Sequence, residues 1–160
     1  MSMRKKPWNL IDAPVYSLAT QHKGLVNMNI CTYVTAISMQ PKLYVVGVYD
    51  GTKTKQHVLK EEKAVLQLLS KDQYNLVRHL GNKTGIKFDK DAWLRKKGLL
   101  THWNEFEILK DISACLLIQK TSMQQTGDHL MCVFEVQKYQ SFHDNILTLD
   151  HLREKKLIRI

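Results

Sequence analysis

The stretch Leu43–Tyr49, LYVVGVY, limits what this chain can fold into more than any other. It is apolar except at Gly47, and it lies between Pro41 and the turn pair Asp50-Gly51. A strand so apolar needs cover on both faces, as in a barrel wall that also meets a partner. Gly47 in its centre marks a bend, a bulge or a close approach of another group. Asp50-Gly51 reads as the turn that ends the strand.

Around this strand the pattern is mostly β. Tyr33, Val34, Ala36 and Ile37 are β-prone, and Met39-Gln40-Pro41-Lys42 breaks their run. Residues 52–63 are polar and can hold a short helix with Val58 and Leu59 inside. Ser70 followed by Gln73 makes a capping box. The helix it opens has Tyr74, Val77 and Leu80 at helical spacing and stops at Gly81. Residues 64–69 then become the strand that feeds it. Residues 81–104 read as a long polar connection, pinned to the body by Trp93 and Trp103, and connections of this length are often functional. Strand signals return at 106–109, 112–119, 130–136 and 146–149, and Leu152, Leu157, Ile158 and Ile160 close the chain as a helical turn and an apolar tail. Six or seven strands with one clear helix suggest a small barrel. The length suits a single domain over residues 1–160, with residues 1–10 a flexible arm held by Trp8 and Leu10.

Composition narrows the function classes. A hydrophobic content of 44% suffices for a core without disulfides, and three scattered cysteines suit free thiols in a reducing compartment. Cys115 and Cys132 lie in apolar runs, whereas Cys31 has polar neighbours. No apolar segment is long enough for a signal peptide or a membrane span, so a cytoplasmic protein without a membrane partner is expected. The net charge is +9, but the basic clusters at 4–6, 95–97 and 153–156 do not interleave with aromatics as a stacking platform would. No nucleic acid is therefore expected, and the surplus charge suits a small anionic ligand. No histidine or cysteine spacing resembles a metal site, so none is assigned.

Neither GxGxxG nor a P-loop occurs. Three polar segments remain. Asn29, Thr32, Thr35 and Ser38 surround the first strand. Gly51-Thr52-Lys53-Thr54-Lys55 follows the second, and Gly81-Asn82-Lys83-Thr84-Gly85 follows the helix. The last two combine glycine, hydroxyl and lysine, which is the chemistry a phosphate needs. Each alone is equally well an ordinary turn.

In this order, residues 29–38 (NICTYVTAIS), Pro41 and Leu43–Tyr49, followed by Gly127-Asp128-His129 and a strand ending Glu135-Val136, resemble the flavin reductase-like, FMN-binding split-barrel family, near its flavoredoxin-type members. The resemblance implies a six-stranded antiparallel split β-barrel of Greek-key type with one or two short flanking helices. It implies a homodimer with FMN near the interface, and hydride transfer to FMN from NADH or NADPH. Two alternatives accompany it: an FMN-bound electron-transfer protein serving a redox partner protein, and a flavin-free barrel acting as a binding module. The resemblance assigns Asn29, Ile30, Cys31 and Thr32 to the flavin ring, and Ser38 to the phosphate and ribityl chain. Lys53 and Thr54 match the phosphate loop, Lys83 and Thr84 a second polar loop, and His129 the face where nicotinamide or substrate stacks. Phe134 stands where the family commonly has glycine, which would put a bulky ring where a ligand or partner strand lies.

Overall fold

In the computed structural model, which describes residues 5–159, the elements in chain order are mostly strands. They are β1 (Tyr16–His22), β2 (Leu25–Met28), β3 (Val34–Ser38), β4 (Leu43–Tyr49), α1 (Lys53–Lys60), β5 (Lys63–Leu68), α2 (Lys90–Lys96), β6 (Leu100–Trp103), β7 (Phe106–Leu109), β8 (Ala114–Thr126), β9 (His129–Ser141) and α3 (Leu149–Glu154). Seven strands pair antiparallel in the order β2-β1-β5-β8-β9-β4-β3, and β6 and β7 form a separate hairpin. The fold is the mainly β, antiparallel class read from the sequence, with one strand more in the sheet than six.

The link of residues 29–33 decides the shape. It joins β2 to β3, which are opposite edges of the sheet. Flat, those edges would lie about 29 Å apart. The steps from Met28 to Val34 reach about 21 Å at most. The sheet must therefore curl until its edges nearly meet. The link is hydrogen-bonded to both sides of the split. Cys31 exchanges N–H···O bonds with Tyr16 of β1 (2.8 and 2.9 Å), and Tyr33 O accepts from Gly47 N–H of β4 (2.8 Å).

Alternation divides the core in two. Leu18, Val46, Val48, Leu66, Ile118, Cys132 and Phe134 fill one side of the curled sheet. Val15, Ala19, Val65, Leu69, Leu94, Leu109 and Leu152 fill the other, where α2, α3 and the β6–β7 hairpin cover it. Phe134 is 1% exposed and belongs to the first group, with its strand position opposite Tyr44. Its ring thus packs inside the core rather than in a ligand or partner position.

Several expectations need correction. The capping box is present, with Ser70 N–H donating to Gln73 Oε1 (3.0 Å), but the segment is a 3-10 turn over Lys71–Leu76 followed by a π-type turn over Val77–Gly81. Val58 is buried as expected, whereas Leu59 is 52% exposed. The stretch 81–104 holds α2 and β6 rather than a bare connection, although Trp93 and Trp103 do pack on the core. In place of a strand over 146–149 there are only single bridges, Ile146 with Ser70 and Thr148 with Pro14, and α3 begins at Leu149. Of the N-terminal arm, residues 1–4 lie outside the described residues. Pro7–Asn9 makes a short 3-10 turn, and Trp8 and Leu10 are exposed rather than pinning it. Among the described residues no helix is long and apolar enough to cross a membrane.

Two outcomes follow for stability. Phe134→Ala should cost about 3–5 kcal/mol in urea unfolding; a loss below about 1 kcal/mol would place the ring outside the core. His57 on α1 is buried against Thr20 (Oγ1 to Nδ1 2.9 Å), and burial lowers its pKa from 6.5 to about 4. The unfolded chain takes up that proton first as pH falls. The stabilisation is therefore complete above pH 6.5 and fades toward pH 4. His57→Gln should flatten the unfolding profile over that interval, and an unchanged slope would refute the assignment.

Candidate functional site

A cleft of about 530 Å³ opens beside the link, where the curled sheet stays split. Four separated stretches build its walls, and each arrives there for a local reason.

The link itself is the first wall. Asn29 Oδ1 accepts from Leu18 N–H (2.8 Å), which fixes that side chain to β1. Ile30 packs toward the opposite wall, and Cys31 is tied to Tyr16 through its backbone. Burial pushes the Cys31 thiol up to about 12, so it is no thiolate nucleophile at neutral pH.

The second wall is the start of α1. Gly51 takes the positive φ (+72°) that turns the chain after β4. Thr52 caps the helix by accepting from Lys55 N–H (3.2 Å), and Lys53 and Thr54 follow at the cleft. Thr54 is buried and accepts from Asn27 Nδ2 (3.0 Å). Lys55 is turned away, bound to Asp50 (2.6 Å) and Gln125 (3.0 Å).

The third wall is the loop of residues 81–85. Its two glycines allow it to close on the others. A Cβ on Gly81 would lie 3.2 Å from Ile30 Cγ1, and one on Gly85 only 2.4 Å from Asn27 Oδ1 and 3.2 Å from Lys53 Cβ. This close approach brings Lys83 and Thr84 onto the cleft that Lys53 and Thr54 also line.

His129, the first residue of β9, forms the rim opposite Tyr49. Its Nδ1 lies 2.6 Å from Asp128 Oδ1, which leaves Nε2 for other partners. The ring sits between Tyr33 and Tyr49, with both centroid distances 5.0 Å. Gly47 makes this possible. A Cβ there would lie 3.1 Å from Tyr33 Cβ and 3.5 Å from His129 Cδ2. Of the three roles open to Gly47, the structure selects close approach. A shallower groove runs on from Tyr33, Gly47 and His129 over Val45 and Met131.

Nine of the ten residues singled out from the sequence meet on this cleft: Asn29, Ile30, Cys31, Thr32, Lys53, Thr54, Lys83, Thr84 and His129. Ser38 does not. It pairs with Leu43 at the far end of β3, about 13 Å along the strand from Val34. Four further lining residues had escaped notice. Tyr33 and Tyr49 read as strand residues, and the sequence assigned Asn27 no role. Lys90 lies within the long polar connection of residues 81–104, and no local signal separates it from its neighbours. It is 6% exposed, and its ammonium donates to Met28 O (2.9 Å) and Leu80 O (2.8 Å). Burial lowers its pKa to about 8.

The cleft is thus two-sided in character. Tyr33, Tyr49 and His129 offer flat surfaces at the rim, and Lys53, Lys83 and Lys90 offer positive charge. The one lining carboxylate, Asp50, is already held by Lys55 and Gln125. Such a site takes an elongated ligand with a flat ring and an anionic end.

The model of the flavin reductase like domain family matches residues 8–155. Among solved structures, the chain is similar to the FMN-binding protein from Thermus thermophilus with bound 1-cyclohex-2-enone (19% identity over 88% of this chain and 78% of that one, TM-score 0.75). It is similar to flavoredoxin from Methanosarcina acetivorans (15%, 92% and 76%, TM-score 0.74). It is also similar to BorF, the flavin reductase component of a bacterial two-component tryptophan halogenase (14%, 89% and 88%, TM-score 0.77). At these identities the likeness is one of fold. No curated protein matches the chain.

The state of Cys31 can be checked directly. Native protein treated with iodoacetamide at pH 8 should remain unlabelled at Cys31 by peptide mass spectrometry, while urea-unfolded protein is labelled there. Rapid native labelling at Cys31 would mean an accessible thiolate.

Proposed function

The chain belongs to the flavin reductase-like family of oxidoreductases, and on that premise we propose that it binds FMN in the cleft and transfers a hydride to it from NADH or NADPH. The observation that carries this reading is the convergence of residues 29–32, 53–54, 83–84 and 129 on one cleft with an aromatic rim and a cationic end. The fit is chemical on both counts. Lysine ammoniums and the Thr54 hydroxyl suit a phosphate, and the Tyr33–His129–Tyr49 group suits the face of a planar ring.

When bound, FMN supplies the redox chemistry, and the protein's task is to hold, orient and shield it. Lys53, Thr54, Lys83 and Thr84 hold the phosphate. The link residues Asn29, Ile30, Cys31 and Thr32 line the ring. Backbone groups of the link are well suited to this because their positions are pinned by the bonds to Tyr16 and Gly47. His129, steadied by Asp128, and Tyr33 border the groove through which a nicotinamide reaches the ring. Hydride transfer needs an open stacking face and no general acid, so His129 orients and screens.

The exposed apolar residues of the β3 edge, Tyr33, Ile37 and Met39, support a homodimer formed near the cleft. Two copies meeting there would bring the flavin close to the interface. A cytoplasmic protein fits the free cysteines.

Purified protein should be yellow, or become so with added FMN, with absorbance near about 450 nm. Anaerobic NADH or NADPH should then bleach it within the turnover time. Protein that takes up no FMN would overturn the reading. Protein that binds FMN but is not bleached would instead be an electron carrier reduced by a partner protein. Replacing Lys53 and Thr54 together with alanine should weaken FMN affinity about tenfold or more. His129→Ala should lower turnover about tenfold while FMN is retained.

A further inference from the structure

Among the described residues Lys90 is the one lysine in the buried class, and it takes part in no ion pair. Two of its three ammonium protons go to the carbonyls of Met28 and Leu80. Two neutral carbonyls do not balance a buried positive charge, and an uncompensated buried ion is costly. The surroundings supply no balancing charge. Lys53 and Lys83 line the same cleft. β2, which supplies the Met28 carbonyl, carries no charged residue, and the turn that supplies the Leu80 carbonyl carries only Arg78 and His79. The nearby acids are engaged elsewhere. Asp89 caps α2 through Ala92 N–H, and Asp91 accepts from Val26 N–H and Arg95. Asp50 is held by Lys55.

A lysine used only to tie β2 to the turn would gain little from being charged and unpaired. Because Lys90 lines the cleft, the balancing charge can come from the ligand. We propose that Lys90 is a binding residue whose buried ammonium meets the anionic group of the ligand, and that it makes the cleft select a phosphorylated flavin over a neutral one. This rests on the flavin reading given above, but it concerns a residue to which the resemblance assigns no role. Free in the cleft, Lys90 is held to a pKa of about 8 by burial alone, with no neighbouring charge contributing. An anion bound beside it raises that value. Affinity for the anion is therefore full below pH 8 and falls as pH rises through it.

The test measures dissociation constants of FMN and riboflavin by quenching of flavin fluorescence, for the wild type and Lys90→Met, from pH 7.5 to 9.5. The wild type should prefer FMN, and its FMN affinity alone should fall over that range. Lys90→Met should lose about tenfold or more in FMN affinity, keep its riboflavin affinity within about threefold, and lose the pH dependence. Equal loss of both flavins would make Lys90 structural and overturn the proposal. So would wild-type FMN affinity that is flat with pH, which decides the matter even if the variant does not fold. Equal wild-type affinity for the two flavins overturns this proposal alone, whereas a wild type that binds neither overturns the flavin reading with it.

Discussion

A link of five residues must join the two edges of a seven-stranded sheet, and the rest of the structure depends on that constraint. The link is too short for a flat sheet, so the sheet curls. Its backbone groups would be left unpaired in the split, so they bond to β1 on one side and to β4 on the other. The split does not close into a full barrel, and the cleft is what remains open beside the link. The segment that closes the fold is therefore also the wall of the site. Its positions are set by strand pairing rather than by loop flexibility, which gives a bound ring a rigid edge to lie against.

Glycine and charge then shape the cleft. Gly47 lets Tyr33 and His129 meet across β4, and Gly81 and Gly85 let a loop close against the link and α1. Without these three close approaches the aromatic rim and the cationic end would not share one cavity. The charges follow the same division. Acidic groups near the cleft are already bonded to Lys55, Arg95 or backbone N–H groups, while Lys53, Lys83 and Lys90 form no ion pair among the described residues. The cleft is left with a surplus of positive charge, which attracts an anion and holds it in a medium of low polarity.

Local pattern made much of this legible. Leu43–Tyr49 announced an inner strand because both of its faces are apolar and both of its ends carry turn residues. The Ser70–Gln73 box and the stop at Gly81 were visible because capping is a matter of neighbours in sequence. The helix type was not, since tertiary packing of Val77 and Leu80 decides how the turns wind. β1 has a weak alternation, because it is buried on both sides and carries Ser17 and Thr20 inside. The apolar run at 146–149 looked like a strand, yet its neighbours are loop ends that offer only single bridges. Phe134 looked intrusive in isolation and turned out to be a core residue.

Local order along the chain set its β character, the turn glycines, and the residue types that could hold a phosphate and a ring. It did so because alternation, capping and turn preference are set by residues a few positions apart. Only the tertiary structure decided that residues 29–32, 53–54, 83–84 and 129 share one cleft and that Ser38 does not. It alone singled out Lys90, whose meaning comes from burial between two carbonyls more than sixty and ten positions away in the chain. Charge compensation and close approach are properties of distance in space, and a linear pattern carries no record of them until the link has drawn the sheet around.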